Sequence, residues 1–276
     1  MPQPTTRQLL RRHAVSFAIA FVVLTATLLT LFATKQVPAL SARGAPTASI
    51  VRALLLALPF TAAMTIPMAV LVAVLREFTR LGADGTLAAT RRRPDGVRRL
   101  VLPLLAAAVG VAALELVVTA QIVPRANGQL AAVLAGRPTA PSDRTMTIGE
   151  LREAARTPRP GARAAAAARA AAYEVEVQKK LALPAACVVL ALAGMAIALH
   201  VPRGGTWLVV VASVAVLGAY YVLLVTGEDL ADRMVISPVV GMWGANALLF
   251  AAALLAMWRW RAPITSGGGG AVVVRG

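Results

Sequence analysis

Six long apolar runs constrain the fold of this chain more than any other feature of its sequence. They cover residues 14–34, 53–75, 100–124, 181–200, 206–226 and 236–258. A helix needs about 20 residues to cross roughly 30 Å of hydrocarbon, and each run has that length. Leu, Val and Ala dominate, and the alternation typical of transmembrane β-strands is absent. The sequence therefore predicts an all-α polytopic membrane protein with six transmembrane helices.

The distribution of Lys and Arg predicts on which side of the membrane each end of these helices lies. The formal net charge of +16 would suggest a nucleic-acid partner for a soluble protein, but most basic residues flank apolar runs and no nucleic-acid motif accompanies them. With the N-terminus inside, the inner segments hold fourteen Lys and Arg and the short outer loops hold four. The positive-inside rule then predicts that both termini are cytoplasmic. The position of the basic residues beside the spans and the lack of a nucleic-acid motif predict that nucleic acid is not a partner.

The apolar runs divide the chain into four parts. These are a first three-helix half at 1–124, a periplasmic linker with short helices at 125–180, a second three-helix half at 181–260, and a flexible tail at 261–276. The linker opens with PRANGQLAAVLAGRPTAPSDRT, whose Pro, Gly and small polar residues indicate a loop. Thr147 and Glu150 have the spacing of a helix-starting capping box. The Ala-rich run after Gly161 predicts a further helix leading into span four.

Patterns for catalysis and metal binding are absent from the sequence. It has no HExxH, no nucleophile elbow and no phosphate-binding glycine loop. His13 and His200 lie at span ends without neighbouring ligands, and Cys187 is expected to be a small core residue. We expect no enzymatic activity, no metal site and no cofactor in this chain.

Two sets of ionisable residues each have two possible roles on the basis of the sequence. Glu115 is the carboxylate well inside a span, where it can act as a proton relay or make a polar contact with a neighbouring helix or a water-filled cavity. The absence of a second acid or a base within a span favours the contact. Lys35, Arg43 and Arg52 follow span one, where they either snorkel to headgroups or form a cationic rim for an anionic lipid.

The segment 76–93 is strongly charged although it separates two apolar runs. Residues 75–90 lack proline, and Phe78, Leu81 and Leu87 have spacings that put apolar side chains on one side of a short helix. Such a helix can lie on the membrane surface or dock into a groove of a cytosolic partner.

Several stretches together resemble one family. They are RQLLRRHAVSF, LPFTAAMTIPMAVLVAVLREFTRLGADGTLAATR, VRRLVLP, VPRAN, MTIGELR, EVEVQKKLALP, YYVLL and ISPVVGMWGANALL. In order and spacing around six spans, these stretches resemble the LptF/LptG permeases of the lipopolysaccharide-export ABC transporter.

The resemblance implies partners and sites. Two permeases, identical or different, would sit in the inner membrane above a dimer of a cytosolic ABC ATPase that binds ATP and Mg²⁺, and would pass lipopolysaccharide to periplasmic bridge proteins. The segment 76–93 would be the coupling helix. The implied ATPase-coupling residues are Phe78, Asp84, Thr86, Leu87 and Arg91, and the implied substrate-gate residues are Lys35, Arg43 and Arg52.

The chain departs from the family pattern in two places. Thr86 stands where the coupling helix usually has an acidic residue. Only Gly128 to Thr145 lie where the family carries a periplasmic β-jellyroll, which needs on the order of 80 residues. The chain is therefore predicted to lack the jellyroll, so a jellyroll-bearing partner would have to reach the bridge proteins.

Three functions are compatible with these features. The first is a permease subunit of an ABC-type exporter of lipopolysaccharide or a related anionic lipid. The second is a degenerate structural or regulatory relative that no longer transports, which the two departures favour. The third is a permease for a different anionic lipid that needs no periplasmic bridge.

Overall fold

The computed structural model describes residues 5–91, 96–157, 163–201 and 204–261. Its α-helices, in chain order, are α1 (Thr6–Ala42), α2 (Thr47–Ala83), α3 (Thr86–Arg91), α4 (Gly96–Val117), α5 (Val123–Ala135), α6 (Ile148–Arg156), α7 (Arg163–His200), α8 (Gly205–Asp232) and α9 (Pro238–Arg261). A π-helical segment, Val118–Ile122, joins α4 to α5, and a 3-10 turn, Asp143–Thr145, precedes α6.

The all-α prediction with six spans is confirmed over the described residues. Six helical stretches are long and apolar enough to cross a membrane: Thr6–Ala42, Thr47–Ala83, Gly96–Ala135, Ala166–His200, Gly205–Asp232 and Pro238–Trp260. Several are much longer than the bilayer requires, since 37 residues of α2 extend about 55 Å. These helices therefore project beyond the hydrocarbon layer.

Helices α2 and α7 form the centre of the bundle. Helix α2 packs against α1, α7, α5 and α8, and α7 packs against α9, α2, α4, α6 and α8. Both central helices bury many small residues, among them Ala57, Thr65, Ala186 and Ala191. Without a hydrophobic force between helices in lipid, small side chains allow the close backbone approach that holds such helices together.

The outer helices turn large apolar side chains outward. Val22 on α1, Leu114 on α4, Val214 on α8 and Trp258 on α9 are each more than half exposed. Such a surface fits lipid tails or another membrane subunit, and it agrees with the prediction of a membrane protein.

The start of the linker is helical, and the prediction of a loop there was wrong. The helix begun by α4 continues through the π-helical segment into α5 and ends at Ala135, where Gly136 adopts a left-handed conformation with φ of 67°. The π-helical segment ends at Ile122, two residues before Pro124, whose ring nitrogen has no N–H to donate to the helix. Val123, Pro124 and Ala126 are buried, so packing against α2 outweighs the loop-like composition.

The capping box at Thr147 is confirmed. The backbone N–H of Thr147 donates to Glu150 Oε2 at 2.7 Å, and the Thr147 hydroxyl accepts from the Glu150 N–H at 3.4 Å. These bonds to the charged form lower the pKa of Glu150, so the cap persists above the normal carboxyl range and is lost as the pH falls below it. Leu151 is buried and anchors α6, which packs against α7.

Of the remaining expectations for the linker and the tail, one is confirmed, and another concerns residues that the structure does not describe. The Ala-rich run does continue without a break into span four, because α7 is one helix of 38 residues. Residues 158–162 of the linker and residues 262–276 of the tail lie outside the described residues.

Candidate functional site

The segment 76–93, which the resemblance implies to be the coupling helix, is not one continuous helix. Helix α2 runs on through Ala83, Asp84 and Gly85 form a turn, and α3 begins at Thr86 and ends at Arg91. Gly85 has φ of 70°, a conformation that a residue with a Cβ rarely adopts. Residues 92 and 93 of the segment lie outside the described residues. We call this end of the bundle the α3 end and the opposite one, which carries α5 and α6, the α6 end.

The apolar side chains of the coupling segment point into the chain's own core. Phe78 is fully buried, Leu81 is 1% exposed and Leu87 is 4% exposed, all within the main apolar core. The sequence had placed them on one side of a short helix, directed at the membrane surface or at a groove of a partner. The structure instead uses them to hold the α3 end together, because burying large apolar side chains stabilises the packed segment.

The residues that this segment does expose are small or charged. Asp84 is exposed and lies 3.9 Å from the Arg80 guanidinium, one helical turn earlier. Thr86 is half-buried, whereas Ala88 and Ala89 on α3 are exposed. We call Arg80, Asp84, Ala88 and Ala89 the α3 surface. Arg76 and Ala83 are exposed on the same segment, whereas Phe78 and Leu87 are buried.

A buried polar contact joins α1 to α2 beside this surface. The ring of His13 on α1 is 5% exposed and lies against the backbone of Ala73 on α2. Glu77, one turn further along α2, is 2% exposed and interacts electrostatically with Arg12. Glu77 was not singled out from the sequence, because its position at a span end looked like an ordinary solvated charge. A displacement of α2 at the α3 end would therefore also move α1, because the two helices are in contact there.

The three predicted gate residues lie at the α6 end, but their surroundings differ. Lys35 is exposed on α1 and forms no ion pair with a described residue, and Arg52 is exposed on α2. The Arg43 guanidinium donates to the Leu134 carbonyl at 2.9 Å and so ties the end of α1 to the end of α5. Lys35 and Arg43 are eight residues apart, about 12 Å along a helix. Arg43 thus has a structural partner that Lys35 lacks.

Glu115 is completely buried between helices. The Cys187 thiol on α7 donates to Glu115 Oε2 at 2.8 Å. Tyr220 on α8 is 6% exposed and lies within electrostatic range of both groups. One turn after Glu115, the Thr119 hydroxyl donates to the Glu115 carbonyl at 2.9 Å and approaches the Lys180 carbonyl at 3.3 Å. The structure thus shows an interhelical polar contact, one of the two roles open from the sequence.

A second polar network, which sequence reasoning missed, ties α7 to α8 and α9. Lys179 pairs with Glu228 on α8, and Lys180, 4% exposed, pairs with Glu176. Trp243 on α9 donates to Gln178 at 2.9 Å. The signal was present in EVEVQKK, where acids and bases recur at helical spacing, but the stretch was read as part of a linker.

Metal binding finds no support in the described part of the chain. There, no three His, Cys, Asp or Glu side chains come together in a way that could hold a metal ion.

Comparison with known proteins gives one match. The family model described as "Lipopolysaccharide export system permease LptF/LptG" matches residues 7–143 and 137–259. The two matching segments meet between Gly128 and Thr145, the stretch where the sequence lacks room for a jellyroll. No curated protein matches the chain.

Proposed function

This chain belongs to the LptF/LptG family of lipopolysaccharide export permeases, and we propose that it is the membrane subunit of an ABC-type exporter. In this proposal it extracts lipopolysaccharide, or a related anionic lipid, from the inner membrane. The observation that carries the proposal is the family match, which extends over all six apolar helices. A multi-pass protein of the inner membrane is what those helices and that family describe.

ATP hydrolysis in this scheme belongs to a separate subunit. A dimer of a cytosolic ABC ATPase binds ATP and Mg²⁺ and docks at the α3 surface. Asp84 on that surface can take the role of the acidic residue that Thr86 does not supply, since Asp84 is exposed and lies in the turn before α3. An acid-dependent contact would then involve a position two residues before the family's usual one.

Helices α1 and α2 would transmit a movement of the ATPase at the α3 surface to the proposed lipid-binding residues at the α6 end. Helix α2 runs without interruption from the α6 end to the α3 surface. It is bound to α1 by a hydrogen bond of 2.7 Å between the Thr25 and Thr65 hydroxyls, and the buried His13 ring of α1 lies against it nearer the α3 end. Lys35 stands on the same α1. ATPase-driven displacement of α2 would thereby shift the helix that carries the proposed lipid-attracting lysine.

A second permease completes the proposed complex. Large exposed apolar side chains on α1 and α8, such as Val22 and Val214, leave surfaces that another membrane subunit can cover. This chain has no room for a jellyroll between Gly128 and Thr145. Hand-off to periplasmic bridge proteins therefore requires a partner permease that has one.

The test is reconstitution of the chain with the ATPase and a second permease in vesicles containing lipopolysaccharide. We expect lipid to stimulate ATP hydrolysis, and Lys35→Glu to reduce the stimulation, since each basic residue near the headgroup plane contributes about 1 kcal/mol to attracting anionic lipid. Added salt should shrink the difference, because screening acts over about 8 Å at physiological ionic strength. Arg137→Glu, at an exposed position of the α6 end that is not among the three gate residues, is the matched control and should leave the stimulation unchanged.

Two results would contradict the proposal in different ways. If no ATPase co-purifies with the chain, the degenerate, non-transporting relative is the better description. If the ATPase binds and responds to a different anionic lipid but not to lipopolysaccharide, the chain is a permease for that lipid.

Orientation is tested by thiol labelling. We expect Ala88→Cys to be protected from an impermeant thiol reagent in spheroplasts and Ser142→Cys to be labelled, because the charge pattern places the α3 end in the cytosol. Both positions are exposed, and the native Cys187 is completely buried, so the background is low. Labelling after membrane disruption controls for accessibility. The opposite pattern would place the α3 surface outside and remove the ATPase from it.

A further inference from the structure

Glu115, Cys187 and Tyr220 form a polar cluster where the two three-helix halves of the chain meet. Glu115 belongs to α4 in the first half, whereas Cys187 and Tyr220 belong to α7 and α8 in the second. The carboxyl and thiol are completely buried and are joined by the 2.8 Å hydrogen bond to Glu115 Oε2. The cluster is not part of the proposed ATPase or lipid contacts.

Two oxygen atoms of the cluster have no partner among the described residues. They are Glu115 Oε1 and the Tyr220 hydroxyl oxygen, and both are inaccessible to solvent. Buried polar atoms are nearly always hydrogen-bonded, so two such atoms within electrostatic range of each other call for an explanation that serves both.

No cation among the described residues balances a charge on Glu115. On α7, Lys180 is paired with Glu176 and is seven residues from Cys187, about 10 Å along the helix. On α8 the nearest charged residue to Tyr220 is Glu228, eight residues away and paired with Lys179. Helices α1 and α2 also pack against α4, and they carry no charged residue within 14–34 and 53–75. Among the described residues, the Cys187 thiol and the Tyr220 phenol are the titratable groups that interact with the carboxyl.

We propose that this cluster is an intramembrane proton-binding site, in which Glu115 is a neutral acid. Its O–H, at Oε1, donates to a water that bridges to the Tyr220 hydroxyl oxygen, since the two oxygens are not directly hydrogen-bonded, while Oε2 accepts from the Cys187 thiol. One bound proton thereby satisfies both unpartnered atoms and removes an uncompensated buried charge. The proton is a structural ligand that holds α4 to α7 and α8, and not a member of a relay, because no second carboxylate or free base adjoins it in the described chain.

Isotope-edited infrared spectroscopy tests the site directly. The purified chain is labelled with ¹³C-carboxyl glutamate, and its spectrum at neutral pH is compared with that of Glu115→Gln. We expect the wild type to show the C=O band of a protonated carboxyl group that is missing in Glu115→Gln. In Tyr220→Phe the same band should shift to higher frequency, because the bridging water has lost its tyrosine partner. A carboxylate band at Glu115 in place of the acid band would overturn the proposal.

Replacement of the cations in the buffer distinguishes a bound proton from a bound metal cation at Glu115. If Glu115 gives a carboxylate band that responds to replacement of sodium or potassium by a bulky organic cation, the site binds a monovalent metal ion and the proton assignment is wrong. Under our assignment the band is insensitive to this exchange.

Thermal stability gives a second, independent readout. We expect Glu115→Gln to melt close to the wild type, because a neutral amide can replace both the donor and the acceptor. Glu115→Ala should melt roughly 5 °C or more lower, since it leaves the tyrosine and thiol unpaired. Leu114→Ala, at a neighbouring position that is 62% exposed, is the matched control and should change little. If Gln is as damaging as Ala, a charged carboxylate is required and the site does not hold a proton. Because both measurements use the chain alone, they stand or fall independently of the transport proposal.

Discussion

Replacement of Gly241 by alanine is expected to force α8 and α9 apart. A Cβ built on Gly241 would lie 2.5 Å from the Gly227 carbonyl oxygen, and one on Gly227 would lie 2.2 Å from the Gly241 carbonyl oxygen. Real Cβ atoms do not approach backbone so closely, and backbone cannot move aside as a flexible side chain does. Overpacking of this kind costs about 1–3 kcal/mol, and we expect the upper end of that range.

The chain supplies its own reporter and control for this measurement. Cys187, its single cysteine, is completely buried, so its reaction with a thiol-sensitive dye reports unfolding during heating. Gly244 lies on the same helix with no atom within 4 Å of its potential Cβ. Gly244→Ala should leave the melting temperature unchanged or slightly higher, because alanine is the better helix former. Equal melting of the two variants would mean that the close α8–α9 approach does not contribute to stability.

Leu87→Asp and Ala88→Asp should separate the stability of the α3 end from the proposed docking of the ATPase there. Leu87 is 4% exposed, whereas its neighbour Ala88 is exposed. A carboxylate at Leu87 is buried without a partner, which costs several kcal/mol, so α3 should detach from α2 and the chain should melt at a lower temperature. At Ala88 the same charge remains in solvent and the melting temperature should not change.

Binding of the ATPase gives the other half of this comparison. We expect Ala88→Asp to weaken the association of a fully stable chain, because its charge enters a docked interface. If Ala88→Asp binds normally, the α3 surface is not the docking site. If Leu87→Asp keeps the wild-type melting temperature but loses the ATPase, Leu87 contacts the partner directly, as the resemblance implied.

Local signals were sufficient for some elements. The capping box at Thr147 was predictable because its two partners are three residues apart and their bonds depend on nothing else. The loop predicted after residue 124 failed for the complementary reason. Pro124, Gly128 and Gly136 have loop-like propensities, but packing of α5 against α2 involves residues far away in the sequence. The burial of Phe78 and Leu87 had the same origin, since periodicity shows that a face is apolar without showing what covers it.

Length, composition and local spacing are enough to predict the six helices, their order, the lack of room for a jellyroll and the family. The helices are predictable because a backbone in lipid must satisfy its hydrogen bonds within its own helix. Which side chains meet between the helices is visible only in the folded bundle. Glu115 is recognisable in the sequence as a carboxyl within a span, yet its partner Cys187 is 72 residues away on another helix. Contacts between helices in lipid depend on close packing and individual hydrogen bonds, and those arise only when the helices are brought together.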